Sequence, residues 1–347
     1  MSDTEPHMNE DEARVPMTSD SEHTSGDTSP IPVIPQLSVA LLLLVFVFGV
    51  TYIGATNALT TAHVPDVRVE TLPAVPQQNI RTKIHTFEDI SIEAKSAFVW
   101  DVAKQRVLFN KDADESRPLA SITKLMTALV AYELLDPSET VAISDRAIKS
   151  EGDSGFIDGE TFTMQDLADL TLLTSSNDGA VALSAQAGAV LNSDTPEDVF
   201  VHAMNVKARE LGLSKTRFLN STGLDISEQE AGAYGSARDV AFLMEHIITH
   251  SEDAVALTKM DATKITNDRG EYHTAQNTNT AVNELDGLIA SKTGYTLLSG
   301  GNLVVAVNVG LNRPIIVAVL GSSYEGRFTD VVNLVEEARQ RIIRESE

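Results

Sequence analysis

The chain has no cysteine among its 347 residues. That excludes a disulfide framework, thiol chemistry and any cysteine-based metal site, and it is compatible with either redox compartment. Basic residues are scarce: 26 Lys and Arg stand against 50 Asp and Glu, a formal net charge of -24. Binding to nucleic acid needs a basic face, so that function class is excluded. Histidine is thin too, with 8 in the chain. His7 and His23 lie in a polar tail, and His85, His202, His246, His250 and His273 are scattered. His246 and His250 are spaced i, i+4, but no glutamate completes a zincin arrangement, so the sequence offers no metal site. Aromatic residues make up 5%, with a single tryptophan, yet 42% of the chain is hydrophobic. That is enough for a real core. No internal repeat is present. The length suggests about two domains, or one larger domain with appendages.

Polarity divides the chain. Residues 1–36 carry eight acidic residues, Arg14 as the only base, and prolines at 30, 32 and 35. This composition predicts a disordered acidic tail. Residues 37–58 are uncharged and strongly apolar from Leu37 through Ala55. About 19 such residues can cross a bilayer as one helix. A cleaved signal peptide would begin with a short basic stretch. The long acidic lead-in favours an uncleaved transmembrane anchor. Arg68 is the only base near the span, so the positive-inside count points weakly to a cytoplasmic C-terminal part. Residues 59–89, with Pro65, Pro73 and Pro76, read as an extended linker.

A globular domain is expected over 90–347. Ser96–Asp101 and Arg106–Phe109 alternate as a hairpin. Helices are expected from Ser121, from Thr163 as an N-cap, from about Asn177, and over Ala237–Ile248. Strands follow at Ile289–Leu297, Leu303–Val309 and Pro314–Leu320, and Phe328–Ile343 closes as an amphipathic helix. A hairpin, a helical block, more strands and a helix make an α+β layout, with one mostly antiparallel sheet drawn from both ends.

The chemistry centres on Leu119-Ala120-Ser121-Ile122-Thr123-Lys124. An i, i+3 spacing puts Ser121 and Lys124 on one helix face. Ser121 needs a base, and Lys124 can serve if burial holds its amine neutral. The apolar run Leu125, Met126, Leu129, Val130 predicts that burial. Two further short motifs follow, Ser175-Ser176-Asn177 between two helices and Lys292-Thr293-Gly294 on a strand. Each fits one task in acyl transfer. Ser175 relays a proton to a leaving amine, and Asn177 donates its amide to a substrate peptide oxygen. Lys292 supplies charge for a carboxylate and, by repulsion, helps keep Lys124 neutral. Thr293 bonds the same carboxylate. Gly294 leaves room for substrate along the strand. The N–H groups of Ser121 and Tyr295 form the expected oxyanion hole.

Taken alone, each motif is common: Ser121, Ser175 and Asn177 suit helix caps, and Lys292-Thr293-Gly294 suits a strand end. Their fixed order resembles penicillin-binding proteins and β-lactamases. The stretch from about residue 90 onward is similar to the serine D-alanyl-D-alanine carboxypeptidases, the low-molecular-mass penicillin-binding proteins. The likeness includes Arg117–Ala128, Asn177-Asp178, Thr216–Leu224, Ser236–Ala241 and Gly287–Thr296. Ser176 and Gly179 stand where the family usually has Gly and Ala. The resemblance implies a β-lactamase/transpeptidase-like fold: an antiparallel sheet flanked by helices, with a mostly helical subdomain. It implies peptidoglycan stem peptides as substrate, β-lactams as inhibitors, no cofactor, and anchoring by the N-terminal span. That substrate lies outside the membrane, which overrides the weak charge count. A β-lactamase and a non-catalytic wall-binding protein of the same fold are the alternatives. No glutamate between Asn177 and Lys292 is followed by Asn four residues on, the pattern by which class A β-lactamases activate water.

Overall fold

A computed structural model describes Phe87 and residues 90–152, 154–191 and 194–345. The expected tail, membrane helix and nearly all of the linker lie outside these residues. Among the described residues no helix is long and apolar enough to cross a membrane.

The chain opens with β1 (Ser96–Asp101), β2 (Arg106–Lys111) and the short β3 (Arg117–Pro118). A 3-10 turn, Ala120–Thr123, leads into α1 (Lys124–Leu134). Then come β4 (Thr140–Ala142), β5 (Thr161–Thr163), α2 (Met164–Thr174), α3 (Asn177–Val190) and α4 (Pro196–Glu210). The two-residue β6 (Arg217–Phe218) and β7 (Ala233–Gly235) precede α5 (Ala237–His250). A hairpin of β8 (Ala262–Thr266) and β9 (Tyr272–Gln276) follows. The chain finishes with β10 (Leu288–Thr296), β11 (Gly300–Asn308), β12 (Pro314–Ser322) and α6 (Gly326–Arg344).

One five-stranded sheet, in the order β10-β11-β12-β1-β2, organises the molecule. Every pairing in it is antiparallel. Strand residues point alternately to opposite faces, and here both faces are covered. Phe98, Val304, Ala306, Ile316 and Ala318 join a core with α1, α2, α3 and α5. Ala97, Val99, Leu303, Val305, Val317 and Val319 face the other way, onto Phe328, Val331, Leu334 and Ala338 of α6. Near-continuous apolar runs are therefore required in β11 and β12, and both are buried along almost their whole length.

The expected α+β layout holds, with one addition. The middle of the chain is not purely helical, because Ala262–Gln276 is a hairpin. Its sequence signal is a period of two on each side of Asp268-Arg269-Gly270, with Gly270 at φ 81°. Of its apolar side chains only Ile265 and Ala275 are buried, so the apolar content is too low to stand out. Thr163 caps α2 as expected, Ser175 is the C-cap of that helix, and the N-cap of α3 is Ser176 rather than Asn177. Thr163 Oγ1 accepts from the Asp166 N–H at 3.1 Å, and Ser176 Oγ accepts from the Gly179 N–H at 3.0 Å.

Candidate active site

Ser121 sits in the 3-10 turn rather than in α1 itself, and Lys124 is the first residue of that helix. The turn is entered through Ala120 at φ 48°, a left-handed conformation that costs a non-glycine residue about 1 kcal/mol. Packing holds it there. Gly223, at φ 82°, lies so close that a Cβ on it would stand 1.9 Å from the Ala120 carbonyl oxygen. From the other side Asn302 donates to the carbonyls of Pro118 and Leu119, both at 3.0 Å.

Lys124 is fully buried. Its Nζ lies 2.8 Å from Ser121 Oγ, 2.7 Å from Asn177 Oδ1 and 2.9 Å from the Thr222 carbonyl oxygen. None of the three partners is a carboxylate. Burial lowers the amine to a pKa of about 7. This set of partners suits a neutral amine. Two N–H bonds go to the two carbonyl-type oxygens, which only accept, and the nitrogen lone pair is left for the serine proton.

Ser175 and Ser176 alone join α2 to α3. Ser175 takes φ 63°, a left-handed C-cap, so the chain reverses within two residues. That turn brings Ser175 Oγ to 2.9 Å from Lys292 Nζ, which donates to it and to the Thr293 carbonyl at 3.0 Å. Asn177 starts α3. Its Oδ1 faces Lys124, and its Nδ2 donates to the Glu151 carbonyl at 2.5 Å. One amide hydrogen is thus engaged within the protein.

Lys292, also buried, is held well below the ordinary lysine range by burial, by Lys124 and by Arg327. Burial is the largest cause for both amines, and repulsion between the two lysines adds to it at Lys292. Thr293 Oγ1 lies 2.6 Å from Thr278 Oγ1. Gly294 has a structural task beyond leaving room for substrate. A Cβ there would stand 2.8 Å from the Leu119 carbonyl oxygen and 3.2 Å from the backbone nitrogens of Ser121 and Ile122. The bare backbone lets β10 press against the turn that carries Ser121. Tyr295 is next on β10, which is an edge strand of the sheet. A cleft of about 540 Å³ adjoins it, bordered by Glu151, Leu224, Asp225, Thr296 and Leu297.

Several contributors carry no side-chain signature. The carbonyls of Thr222 and Glu151 are set by loop geometry. Asn220 folds the first loop, accepting from the N–H groups of Thr222 and Gly223 at 3.2 and 2.7 Å. The Thr216–Leu224 stretch was the available signal. Arg327 is a further addition. It is 3% exposed, and its Nη1 donates to the Gly294 carbonyl at 2.9 Å. Its guanidinium packs over the rings of Tyr324 and Phe328.

Known proteins are similar to this chain. The profile of the D-alanyl-D-alanine carboxypeptidase family matches residues 82–324. The D-alanyl-D-alanine carboxypeptidase DacF of Bacillus subtilis is 30% identical over 257 residues, 72% of this chain and 62% of that protein. DacB2 of Mycobacterium tuberculosis, also named a D-alanyl-D-alanine carboxypeptidase, is 30% identical over 67% of this chain and 77% of its own length. Penicillin-binding protein D2 of Listeria monocytogenes, solved with ampicillin bound, superposes with a TM-score of 0.59 at 27% identity, covering 72% of this chain and 98% of that one. A family match over most of the chain, on a fold that gathers all three motifs into one buried cluster, places this protein in the D-alanyl-D-alanine carboxypeptidase family.

Proposed function

We propose that the chain is a serine-type D-Ala-D-Ala carboxypeptidase that acts on peptidoglycan stem peptides through an acyl-enzyme on Ser121. The observation that carries this is the buried Lys124 amine, set 2.8 Å from Ser121 Oγ with two further carbonyl-type acceptors and no carboxylate. Such an amine accepts the serine proton as Oγ attacks the carbonyl of the penultimate residue. The N–H groups of Ser121 and Tyr295 receive the developing oxyanion. The C–N bond then breaks, and the proton that Lys124 took from Ser121 passes to the departing D-alanine amine by relay through Ser175, whose hydroxyl accepts from Lys292, so that Lys124 and Ser175 both return to their starting states. Lys292 and Thr293 hold the terminal carboxylate, and Asn177 bonds the substrate's backbone. Water then hydrolyses the ester and frees Ser121.

A β-lactam carries the same amide and carboxylate, and the similar Listeria protein holds ampicillin. Penicillin should therefore add one adduct mass to this protein, and Ser121→Ala should remove it. An adduct that survives in Ser121→Ala would overturn the assignment. The substrate class implies an extracytoplasmic domain anchored by residues 37–58, whose uncharged run fits a membrane helix. Protease added to intact spheroplasts should digest the domain and spare residues 1–36; the opposite pattern would refute this placement.

A further inference from the structure

Asn177 does not stand on α3 alone. Residues 150–152 and 154–160, between the Ala147–Lys149 turn and β5, reach over the start of α3 and hold it at three points, one of them the Ser154 N–H donating to Asp178 Oδ2 at 3.3 Å. Asn177 Nδ2 donates to the Glu151 carbonyl at 2.5 Å, and Ser154 Oγ lies 2.6 Å from Ser176 Oγ. The other end of this segment is fastened by Glu160, a carboxylate only 2% exposed. Glu160 accepts from the Ile157 N–H at 3.2 Å, from Asn267 Nδ2 at 2.8 Å and from His273 Nε2 at 2.6 Å. The last two partners come from the β8–β9 hairpin. Phe156 seals the joint, with its ring centroid 5.4 Å from Phe162 and 5.3 Å from His273. Arg269 adds a bond to the Gly159 carbonyl at 3.2 Å.

A buried carboxylate is stable only when its oxygens are supplied with donors. Burial pushes the Glu160 carboxyl up, and the donors from Asn267, His273 and Ile157 outweigh it, so that it stays ionised. Take away a donor and the charge must find water. It can do so only by lifting the segment away from the hairpin. Glu151 and Ser154 would move with it, and Asn177 would lose the carbonyl that fixes its amide. The same amide presents Oδ1 to Lys124, so a rotated Asn177 also leaves the general base one acceptor short.

We propose that Glu160, clamped by His273, is a positioning residue for Asn177. It acts by holding the segment whose Glu151 carbonyl and Ser154 hydroxyl orient the start of α3. The proposal rests on the acyl-transfer reading of the site.

The test measures acylation by a fluorescent penicillin, separating the limiting rate from the half-saturating concentration. His273→Phe keeps a ring against Phe156 and Phe162 but removes the donor. It should slow the limiting rate roughly 10- to 100-fold, the range that small misplacements of catalytic groups produce, with much less effect on half-saturation. His273→Gln restores an N–H donor and should recover most of the rate. Ser154→Ala removes the hydroxyl contact with Ser176 at its other end, leaving the two contacts made by backbone groups of Glu151 and Ser154, and should slow acylation in the same direction. The double variant should be no slower than the slower single, because both release one segment. Wild-type rates in His273→Phe overturn the clamp, as do effects that multiply in the double variant. If His273→Phe does not fold, wild-type acylation by Ser154→Ala overturns it on its own. A wild-type protein that takes no penicillin would instead defeat the acyl-transfer reading, which keeps the two failures apart.

Discussion

If burial is what keeps Lys124 neutral, the pH dependence of acylation should survive the loss of the second lysine. An ordinary lysine amine titrates at 10.5, and Lys124 is brought to about 7. The difference corresponds to about 5 kcal/mol between charged and neutral forms. At neutral pH an unperturbed amine would be a base in only about one molecule in three thousand, whereas here about half the molecules are competent. At pH 5.5 the competent share should fall to about 3%. The perturbation is Lys292→Met, which keeps the site dry but removes the second amine. Burial is the cause that lowers Lys124 and the largest of those lowering Lys292, where Lys124 and Arg327 add to it, so removing the Lys292 amine leaves the burial of Lys124 in place. The limiting acylation rate, followed with a fluorescent penicillin from pH 5 to 9, should show an acid limb with its midpoint near 7 in both proteins. The variant should differ in needing more ligand, because its carboxylate contact is gone. A midpoint that climbs by more than about one unit in Lys292→Met would show that repulsion, not burial, neutralises Lys124. The same titration has a stability sign. Between pH 7 and 10.5 the folded state binds fewer protons at Lys124 than the unfolded chain, so this residue's destabilising contribution is full below pH 7 and fades as pH rises through 10.5.

Three other outcomes follow from the geometry. Gly294→Ala would put a methyl group 2.8 Å from the Leu119 carbonyl oxygen and against the Ser121 turn, so acylation should drop at least about tenfold and stability by about 1–3 kcal/mol, read by penicillin labelling and urea unfolding; labelling at the wild-type rate would contradict the close packing. Asp169 is 6% exposed, and burial with Asp166 and Asp253 nearby raises its carboxyl to about 7. The unfolded chain releases that proton near pH 4, so stability is lost as pH rises from about 4 to 7, and Asp169→Asn should be about 1–3 kcal/mol more stable than wild type at pH 8 but not at pH 4. Equal stability at pH 8 would refute it. Lacking a glutamate in the class A pattern, the penicillin acyl-enzyme should persist for minutes or longer while a pentapeptide still releases D-alanine; rapid nitrocefin turnover without D-alanine release would make the protein a β-lactamase.

The side chains that the structure gathers into this cluster were legible because they come in short local motifs. Ser121 and Lys124 share one turn, Ser175 and Asn177 flank one cap, and Lys292, Thr293 and Gly294 share one strand. The shape of the sheet was legible for a related reason, since β11 and β12 are apolar almost throughout. What escaped depends on contacts between distant segments. The carbonyls of Thr222 and Glu151 belong to every residue type and carry no signature. Arg327 reads as one more basic residue at the start of an amphipathic helix, and only the packing of α6 buries it beneath Gly294. The lowering of both lysine amines depends on depth of burial, which spacing does not report.

The sheet's strand order has a consequence for folding. Its middle pairing joins β1, near residue 96, to β12, which ends at Ser322. The Asp330 carboxylate then accepts from the backbone N–H groups of Glu93 and Ala94 at 2.9 and 2.8 Å. Contacts of such sequence separation give a high contact order and slow closure. As the chain is made from its N-terminus, the β1–β2 hairpin must wait with an unpaired edge for almost the whole domain to follow. Ser121 and Lys292 lie on opposite sides of that wait. Ser121 and the strand that carries Lys292 therefore meet only when the last strands have docked, and an incomplete chain cannot assemble this cluster.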